Sequence, residues 1–349
     1  MADPDITILV PTRNRPRELL RLLSFLDHAG SRYPVGVLDG SDPAIQEMNV
    51  DAVRRFAFAR HEAYAAESHL GMRCADALTR TRTPYMVFCA DDDFVFPAAL
   101  EECARFLDAN PDHSAVLGNV LSLTYFKDKP VLRDGVLFDD AFRFVGYTAQ
   151  DRFLQRALYF FAYTYLGTPP LYYGLRRTGV AREAFGHLRA SMKYSAMELL
   201  SNTITLIRGK VAILPTIFGL RDYSCPATSE PIRDDPRTYL SADDIETLRP
   251  SFVAALAESE NITTDIAARD IDLYLTQWAP PGWSSPHLAS RPLTRARKLG
   301  MGLRLMESIF HPAALAARHG LPLATVSCLL RAQRAFVRDD ARRPPASTG

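Results

Sequence analysis

Three consecutive aspartates, Asp91, Asp92 and Asp93, directly follow an apolar run in the segment YMVFCADDDFVFP. Adjacent carboxylates repel one another, and burying part of their charge is costly unless a cation compensates it. In an extended strand, Asp91 and Asp93 would project to one side and Asp92 to the other. Two carboxylates on one side suit Mg²⁺ or Mn²⁺, which prefer oxygen ligands and often bind together with substrate phosphates. The triplet therefore predicts a site for a metal ion and a nucleotide. The alternative is a solvated turn whose acids cap the next helix.

Two earlier strand-like segments end in polar residues that could join the same site. The segment VGVLDGSD ends at Asp39 in an Asp-Gly turn, and ITILV leads into PTRNRP, which offers Thr12, Arg13 and Arg15. Guanidinium groups bind phosphates or bases. In open α/β sheets, ligands collect beyond the carboxyl ends of the strands. We therefore expect these strand ends and the aspartate triplet to meet at one edge of one sheet.

The elements that must position these residues alternate along the chain. A β-type run at 6–10 is followed, after Pro16, by leucines at helical spacing, and further helices are predicted around 72–79 and 98–107. A strand is expected at SAVLGNV, a hairpin around Asp134 and Gly135, and an aromatic-rich helix at about 150–165. Strands that alternate with helices predict an α/β fold with a parallel sheet.

The segment SAMELLSNTITLIRGKVAILP predicts a helix followed by a strand. Ser195 is expected to cap this helix with Glu198 completing a capping box, Gly209 to end it, and 211–214 to form a buried strand. Upstream, PPLYYGLRR is typical of a strand that enters a crowded site. Its Tyr172 and Tyr173 are candidates for a sugar or acceptor pocket, although aromatic residues on a strand belong more often to the core.

Composition narrows the classes of protein. Of the 349 residues, 47% are hydrophobic. The 41 Lys and Arg nearly balance the 40 Asp and Glu, and the formal net charge is +1, so no overall positive charge favours binding of nucleic acid. Five scattered cysteines without a C-x-x-C spacing suggest neither a disulfide framework nor a zinc site. The N-terminus lacks a signal-peptide pattern, and no 18-residue apolar run occurs, so we expect a cytoplasmic protein that does not span a membrane.

The basic stretch RPLTRARKLGMGLRLMESIF has apolar residues at partly helical spacing. Such a helix could touch anionic lipid at the inner face of the membrane, or a partner chain in a homo-oligomer. The alternative is a solvated helix that packs on the rest of the protein.

Taken together, ILVPTRNRP, VLDGSD and GMRCADALTRTRTPYMVFCADDDF resemble, in order and spacing, the nucleotide-sugar-dependent glycosyltransferases of the GT-A fold. The resemblance is specifically to the inverting family 2 and covers about residues 5–225. It implies a Rossmann-like, mixed and mainly parallel sheet flanked by helices, with a helical C-terminal extension. It also implies a catalytic domain at 1–228, with a nucleotide-sugar half at about 1–120 and an acceptor half at about 121–228. A mostly helical region would follow at 229–349, with a disordered tail at about 340–349.

The resemblance further implies roles for single residues. The residues that would bind the nucleotide sugar are Pro11, Thr12, Arg13, Asp39, Arg73, Asp91, Asp92 and Arg221. Asp93, with Asp91, would hold Mn²⁺ or Mg²⁺, and Glu198 would be the base that takes the proton from the acceptor hydroxyl. Glu198 also fits a simple helix cap, and Arg221 also fits a structural ion pair with a carboxylate.

The expected function is metal-dependent, inverting transfer of a sugar from a nucleotide-sugar donor, a UDP-sugar by preference, to a hydroxyl acceptor. That acceptor would be a saccharide or another hydroxyl compound in bacterial glycan or glycoconjugate synthesis. Two alternatives remain. One is a nucleotidyltransferase that makes a nucleotide sugar, although PTRNRP lacks the glycine-rich first loop typical of such enzymes. The other is a catalytically silent, glycan-binding relative.

Overall fold

Helices and strands alternate from the start of the chain, in a computed structural model that describes residues 5–124, 136–139, 146–147, 152–157, 171–222 and 241–275. The strands are β1 (Ile6–Thr12), β2 (Val35–Asp39), β3 (Ala59–Ala63), β4 (Tyr85–Phe88), β5 (Phe94–Val95), β6 (His113–Thr124), β7 (Val136–Asp139), β8 (Gly146–Tyr147), β9 (Leu175–Arg177) and β10 (Lys210–Asp222). The helices are α1 (Pro16–His28), α2 (Pro43–Val53), α3 (Leu70–Arg80), α4 (Pro97–Ala109), α5 (Thr178–Gly186), α6 (Tyr194–Arg208), α7 (Ala242–Glu260) and α8 (Thr264–Leu275). A 3₁₀ turn covers Leu171–Tyr173, and residues 153–157 are helical.

One sheet contains all these strands, in the order β3-β2-β1-β4-β9-β6-β10-β5, with β7 beside β6 and β8 beside β10. Strands β1 to β4 pair in parallel, as do β6 and β10, whereas β9 runs antiparallel between β4 and β6. Thr12 lies opposite Asp39, and Leu9 lies opposite Phe88. The sheet is therefore mixed and mainly parallel, as predicted, and the carboxyl ends of β1, β2 and β4 meet at one edge.

Local sequence explains why these elements form. Helix α1 begins with Pro16 at its first turn, where a missing N–H costs nothing, and its leucines form one buried stripe. Strands β2 and β4 are buried along their whole length, as expected for central strands covered on both faces. Their apolar sequences therefore leave polar chemistry only at their ends.

Two hydrophobic clusters cover the two faces of the sheet. One includes α1 and α4, and contains Phe25 and Leu100. The other includes α3, α5, α6, α7 and α8, and contains Leu78, Ile204 and Phe252. The described C-terminal helices therefore share a core with the sheet.

Several sequence predictions were incomplete or wrong. Helix α2 and strand β3 were not expected. The predicted strand at PPLYYGLRR starts only at Leu175, and Tyr172 and Tyr173 lie in the preceding 3₁₀ turn. Helix α6 begins at Tyr194, after Lys193, so the predicted capping box of Ser195 and Glu198 does not form.

Other predictions lie partly or wholly outside the described residues. Strand β7 pairs antiparallel with β6, with Val136 opposite Thr124, but the hairpin residues Asp134 and Gly135 are not described. The same holds for most of the aromatic-rich helix, the basic stretch and the tail at 340–349. Within the described part of the chain, no helix is both long and apolar enough to cross a bilayer.

Candidate functional site

The loops after β1 and β2 are tied together by reciprocal hydrogen bonds. Asn14 adopts a left-handed backbone conformation with φ of 56°, which asparagine tolerates better than most residues. Its backbone N–H donates to Ser41 Oγ at 2.8 Å, and its side-chain amide donates to Asp42 Oδ2 at 3.0 Å. The Asp42 backbone N–H donates back to Asn14 Oδ1 at 2.9 Å. The loops after β1 and β2, which include Asn14, Ser41 and Asp42, are therefore connected and form the rim of the candidate site.

Asp39 is fully buried at the end of β2 and is held by three donors. Its carboxylate accepts from the Ser41 backbone N–H at 2.8 Å, from Asn49 Nδ2 at 2.8 Å and from His61 Nε2 at 2.9 Å. Burial alone would raise the pKa of Asp39, but the bonds from His61, Ser41 and Asn49 outweigh it and hold the pKa below its usual value. Asp39 is therefore a charged anchor for the β2 loop.

Arg73, on α3, connects the ends of β1 and β2 through hydrogen bonds to their backbones. Its Nη1 donates to the backbone oxygens of Thr12 and Leu38, each at 2.9 Å. Burial lowers its pKa. A Cβ added at Gly40 would lie 2.6 Å from Arg73 Cζ, so the guanidinium group would have to move from its present position for any other residue to fit. Gly40 and Arg73 therefore act as one unit.

The aspartate triplet lies in a turn after β4, so the alternation expected of a strand does not apply. Asp91 accepts from Thr12 Oγ1 at 2.7 Å through Oδ2, and from Arg15 Nη1 at 3.2 Å through Oδ1. Arg15 also donates to Asp92. Asp91 and Asp92 therefore share one arginine, and the expectation that Asp91 pairs with Asp93 on one side was wrong.

Asp93 points to the end of β10 instead. Its Oδ1 accepts from the Asp222 backbone N–H at 3.0 Å, and its Oδ2 lies 3.7 Å from Arg221 Nε. Asp222 accepts from Arg21 at 2.7 Å, and Arg21 also donates to the Asp92 backbone oxygen at 2.9 Å. Helix α1 and strand β10 therefore hold the triplet from two sides.

Among the described residues, the ion pairs of the cluster involve more carboxylates than guanidinium groups. Within the described residues, four carboxylates (Asp91, Asp92, Asp93 and Asp222) lie among three guanidinium groups (Arg15, Arg21 and Arg221). Burial raises the pKa of Asp91 to about 7, with the Asp92 charge adding to the effect and Arg15 opposing it. Burial likewise raises the pKa of Asp93 to about 7, against the effect of Arg221. Burial therefore disfavours the charged form of both carboxylates more than the nearby arginines favour it.

Glu198 lies in the second turn of α6. Burial raises the pKa of Glu198 above its usual value, although the charge of Arg221 opposes this effect. Arg221 lies 3.7 Å from Asp93, and its Cζ is 5.0 Å from the centre of the Tyr173 ring. Because the capping box is absent, the helix-cap interpretation of Glu198 loses its geometric basis.

The two tyrosines have different surroundings. Tyr172 is buried and stacks on Phe88 with 5.1 Å between ring centres, so it belongs to the core. Tyr173 is only partly buried and packs edge-on against Tyr172 at 4.9 Å. Only Tyr173 therefore lies where a ligand of this cluster could touch it.

The structure brings most of the predicted residues together and adds others. The predicted residues at the strand-end cluster are Thr12, Asp39, Arg73, Asp91, Asp92, Asp93, Glu198, Arg221 and Tyr173. Pro11 lies in β1, and Arg13 is exposed at the rim. The sequence analysis missed Asn49 and His61, which lie on the unexpected α2 and β3, and the buried pair of Arg21 and Asp222. An arginine among the leucines of α1 was the one available signal.

No protein-family model and no curated protein match the chain. Similar solved structures include crystal structures of S. aureus TarS. The chain matches one TarS structure at a TM-score of 0.54 and 13% identity over 98% of its own length, and spans 56% of that longer chain.

It matches TarS 1-349 in complex with UDP-GlcNAc at a TM-score of 0.54 and 14% identity, covering 97% of this chain and 91% of that one. It matches TarS 1-349 in complex with UDP at a TM-score of 0.51 and 13% identity, covering 99% of this chain and 95% of that one. At this identity the similarity lies in the fold, and it confirms the predicted fold class, a mixed α/β glycosyltransferase-type fold.

Proposed function

We propose that the chain is a glycosyltransferase that uses a nucleotide-sugar donor, by preference a UDP-sugar. One observation carries the proposal: three strand ends converge on buried acids, and Arg221, which lies 3.7 Å from Asp93, also acts through its charge on Glu198. Ligands of open α/β sheets bind at such an edge. The fold shared with TarS, of which structures with UDP-GlcNAc and UDP exist, supports the same donor class.

The two rim loops would hold the nucleoside. Thr12 and Asp39 are buried: Thr12 donates to Asp91, and Asp39 accepts from the Ser41 backbone N–H. Arg13 is exposed at the rim, where a ligand would contact it. Arg73 keeps both loops in register. Arg221 is the guanidinium group placed to contact the diphosphate, since it lies between Asp93 and Tyr173.

Asp93 would hold a divalent cation only together with the donor diphosphate, because no group of three or more acids, histidines or cysteines in the described part of the chain is arranged to hold a metal ion by itself. Among the described residues, the ion pairs of the acidic cluster involve more carboxylates than guanidinium groups, and hard cations such as Mg²⁺ and Mn²⁺ take carboxylate oxygens together with phosphate oxygens. Both oxygens of Asp91 already accept hydrogen bonds, so Asp93 is the better ligand of the two predicted. A bound cation would stabilise the charge on the departing diphosphate.

Glu198 would act as the base of an inverting transfer, as in family 2. The acceptor oxygen forms a bond to the anomeric carbon while the bond from that carbon to the diphosphate oxygen breaks, and the acceptor proton passes to Glu198. A pKa raised by burial makes a carboxylate a stronger base, which suits this role. The proposed acceptor is a hydroxyl compound of bacterial glycan or glycoconjugate synthesis.

A thermal-shift screen tests the donor site. We expect UDP to raise the Tm of the wild type in the presence of Mn²⁺ more than GDP, CMP or dTDP does, and Asp93→Ala to lose the Mn²⁺-dependent part of the shift. If no nucleotide stabilises the wild type with metal present, the proposed donor site is wrong.

A further inference from the structure

Arg15 reaches from the loop after β1 to the aspartate triplet. Its Nη1 atom donates to Asp92 Oδ2 and also to Asp91 Oδ1, the second bond measuring 3.2 Å. A single nitrogen atom therefore lies at hydrogen-bonding distance from two carboxylates that would otherwise repel one another. Two acids of the triplet thus converge on one point, and a positive group of the chain itself occupies that point.

This cluster of charges is largely removed from water. The side chains of Arg15, Asp91 and Asp92 are only 11%, 7% and 17% exposed. Charges interact more strongly in such surroundings than at an exposed surface, and a buried carboxylate without a partner is costly. Water is therefore a poor substitute for the guanidinium group, and a replacement would have to be another cation.

The surrounding structure sets the position of the guanidinium group. The second oxygen of Asp91 accepts from Thr12 Oγ1 at 2.7 Å, which orients this carboxylate. On one side of Arg15, Asn14 is hydrogen-bonded to the loop after β2. On the other side, helix α1 begins, and the Arg15 carbonyl oxygen accepts from the Leu19 backbone N–H at 3.1 Å. The loop and the helix together therefore hold Arg15 at the triplet.

A divalent cation would compete with Arg15 for the same oxygens. Mg²⁺ binds carboxylate oxygens at about 2.0–2.1 Å, usually through one or two carboxylates together with phosphates and water. A cation that close to both Asp91 Oδ1 and Asp92 Oδ2 would coincide with Arg15 Nη1, and the two positive charges would also repel one another. Asp93, whose ion pair is with Arg221 at 3.7 Å, is then the acid of the triplet left to contact a metal ion.

We propose that Arg15 occupies the place of a cation between Asp91 and Asp92 and thereby makes metal binding by the triplet depend on the donor diphosphate. Asp93 alone is a weak site for a divalent cation, so the cation needs diphosphate oxygens as further ligands. This inference rests on the proposed glycosyltransferase function and deepens it. Arg15 is the residue that makes the triplet select the metal–nucleotide complex over the free metal ion.

Mn²⁺ binding in the absence of nucleotide, measured by electron paramagnetic resonance, tests the role of Arg15. We expect Arg15→Gln to bind Mn²⁺ at least about tenfold more tightly than the wild type does, because Asp91 and Asp92 lose their guanidinium partner. Arg15→Lys keeps a positive charge and should bind Mn²⁺ as weakly as the wild type. Arg54→Gln, which removes the exposed partner of Asp51, is the matched control and should gain nothing.

Further variants locate the gained site and remove the dependence on one substitution. Adding Asp92→Asn to Arg15→Gln should abolish the gain in Mn²⁺ affinity. Arg15→Ala, a second neutral variant, should show the same gain as Arg15→Gln. Mn²⁺ alone should also raise the Tm of both neutral variants and leave that of the wild type unchanged, because a ligand that binds the folded state stabilises it.

Separate outcomes distinguish the failures. If the wild type binds UDP with Mn²⁺ but neither neutral variant gains affinity for Mn²⁺ alone, the role of Arg15 is wrong while the donor site stands. Binding of Mn²⁺ to the wild type that is as tight without UDP as with it would also overturn this role. If no nucleotide binds the wild type in the presence of Mn²⁺, the proposed function fails, and the role of Arg15 fails with it.

Discussion

At the scale of single residues, burial outweighs the nearby charge of Arg221 at Asp93. Its pKa is about 7, against about 3.9 for an aspartate in an unfolded chain, so the folded protein binds this proton more tightly. Ionising Asp93 therefore lowers the stability of the metal-free protein progressively as the pH rises from about 4 to about 7. A neutral side chain at this position would avoid that loss.

We accordingly expect Asp93→Asn to have a higher Tm than the wild type in EDTA at pH 8, by more than about 2 °C. The difference should shrink as the pH falls to 5, because Asp93 is then protonated in the wild type. Differential scanning calorimetry at several pH values measures it. Asp51→Asn, at an exposed aspartate of α2, should show no such trend. A Tm difference that does not vary with pH would contradict the buried-charge account.

Gly40 gives a second prediction at residue scale. Gly40→Ala would push the Arg73 guanidinium group off the backbone oxygens of Thr12 and Leu38. We expect a lower Tm and at least about tenfold weaker binding of UDP, measured by calorimetry. Gly179→Ala is a matched control, since a Cβ there meets nothing within 4 Å. Unchanged UDP affinity in Gly40→Ala would show that the rim does not depend on Arg73.

Residue types predicted part of this chemistry from the sequence. The acids were predictable because burying charge at the end of an apolar run is costly without a partner, whereas Arg221 was predicted only from the family resemblance. Which acid faces which partner did not follow, because the triplet lies in a turn and not in a strand.

At the scale of elements, Asp39 is held by residues of β3 and α2, two elements whose sequence patterns are weak. Strand β3 has the sequence ARHEA and lies at the edge of the sheet, where exposure permits polar residues. Helix α2 has few buried residues, so its apolar pattern is weak. His61 and Asn49, which fix Asp39, therefore escaped prediction along with their elements.

The buried pair of Arg21 and Asp222 connects α1 to the end of β10. Arg21→Met leaves the Asp222 charge without this partner, and we expect it to lower the free energy of unfolding by about 3–5 kcal/mol. Urea denaturation measures the change. Arg32→Met removes an exposed arginine that lies 3.9 Å from Glu101, and should cost at most about 1 kcal/mol.

The double variant Arg21→Met with Asp222→Leu removes both charges and should recover much of the stability lost in Arg21→Met. Equal losses of unfolding free energy in Arg21→Met and Arg32→Met would mean that the buried pair of Arg21 and Asp222 contributes no more to stability than an exposed ion pair.

At the scale of the whole molecule, alternation of apolar strands and amphipathic helices was enough to predict an α/β fold with a mainly parallel sheet. The antiparallel insertion of β9 between β4 and β6 was not predictable, because its three residues match any short buried strand. The packing of α7 and α8 on the sheet also required the structure, since helical periodicity does not specify which core a helix joins.

Because Phe252 of α7 lies in the same hydrophobic cluster as α3 and α6, the described C-terminal helices should unfold together with the sheet. We expect Phe252→Ala to lower stability by about 3–5 kcal/mol and to move the entire urea transition. Circular dichroism and UDP binding should report one midpoint. A separate early transition with UDP binding intact would show that these helices form an independent unit.

The central claim joins a donor site at Asp93 to a base at Glu198, and release of UDP from UDP-sugars tests both directly. With Mn²⁺ and a panel that includes UDP-GlcNAc and UDP-glucose, we expect the wild type to release UDP from at least one donor. Glu198→Gln should bind UDP normally and release it at least about 100-fold more slowly, and Asp93→Ala should lose Mn²⁺-dependent release. Release by Glu198→Gln at the wild-type rate, or no release from any donor by a protein that is folded by circular dichroism, would contradict the account.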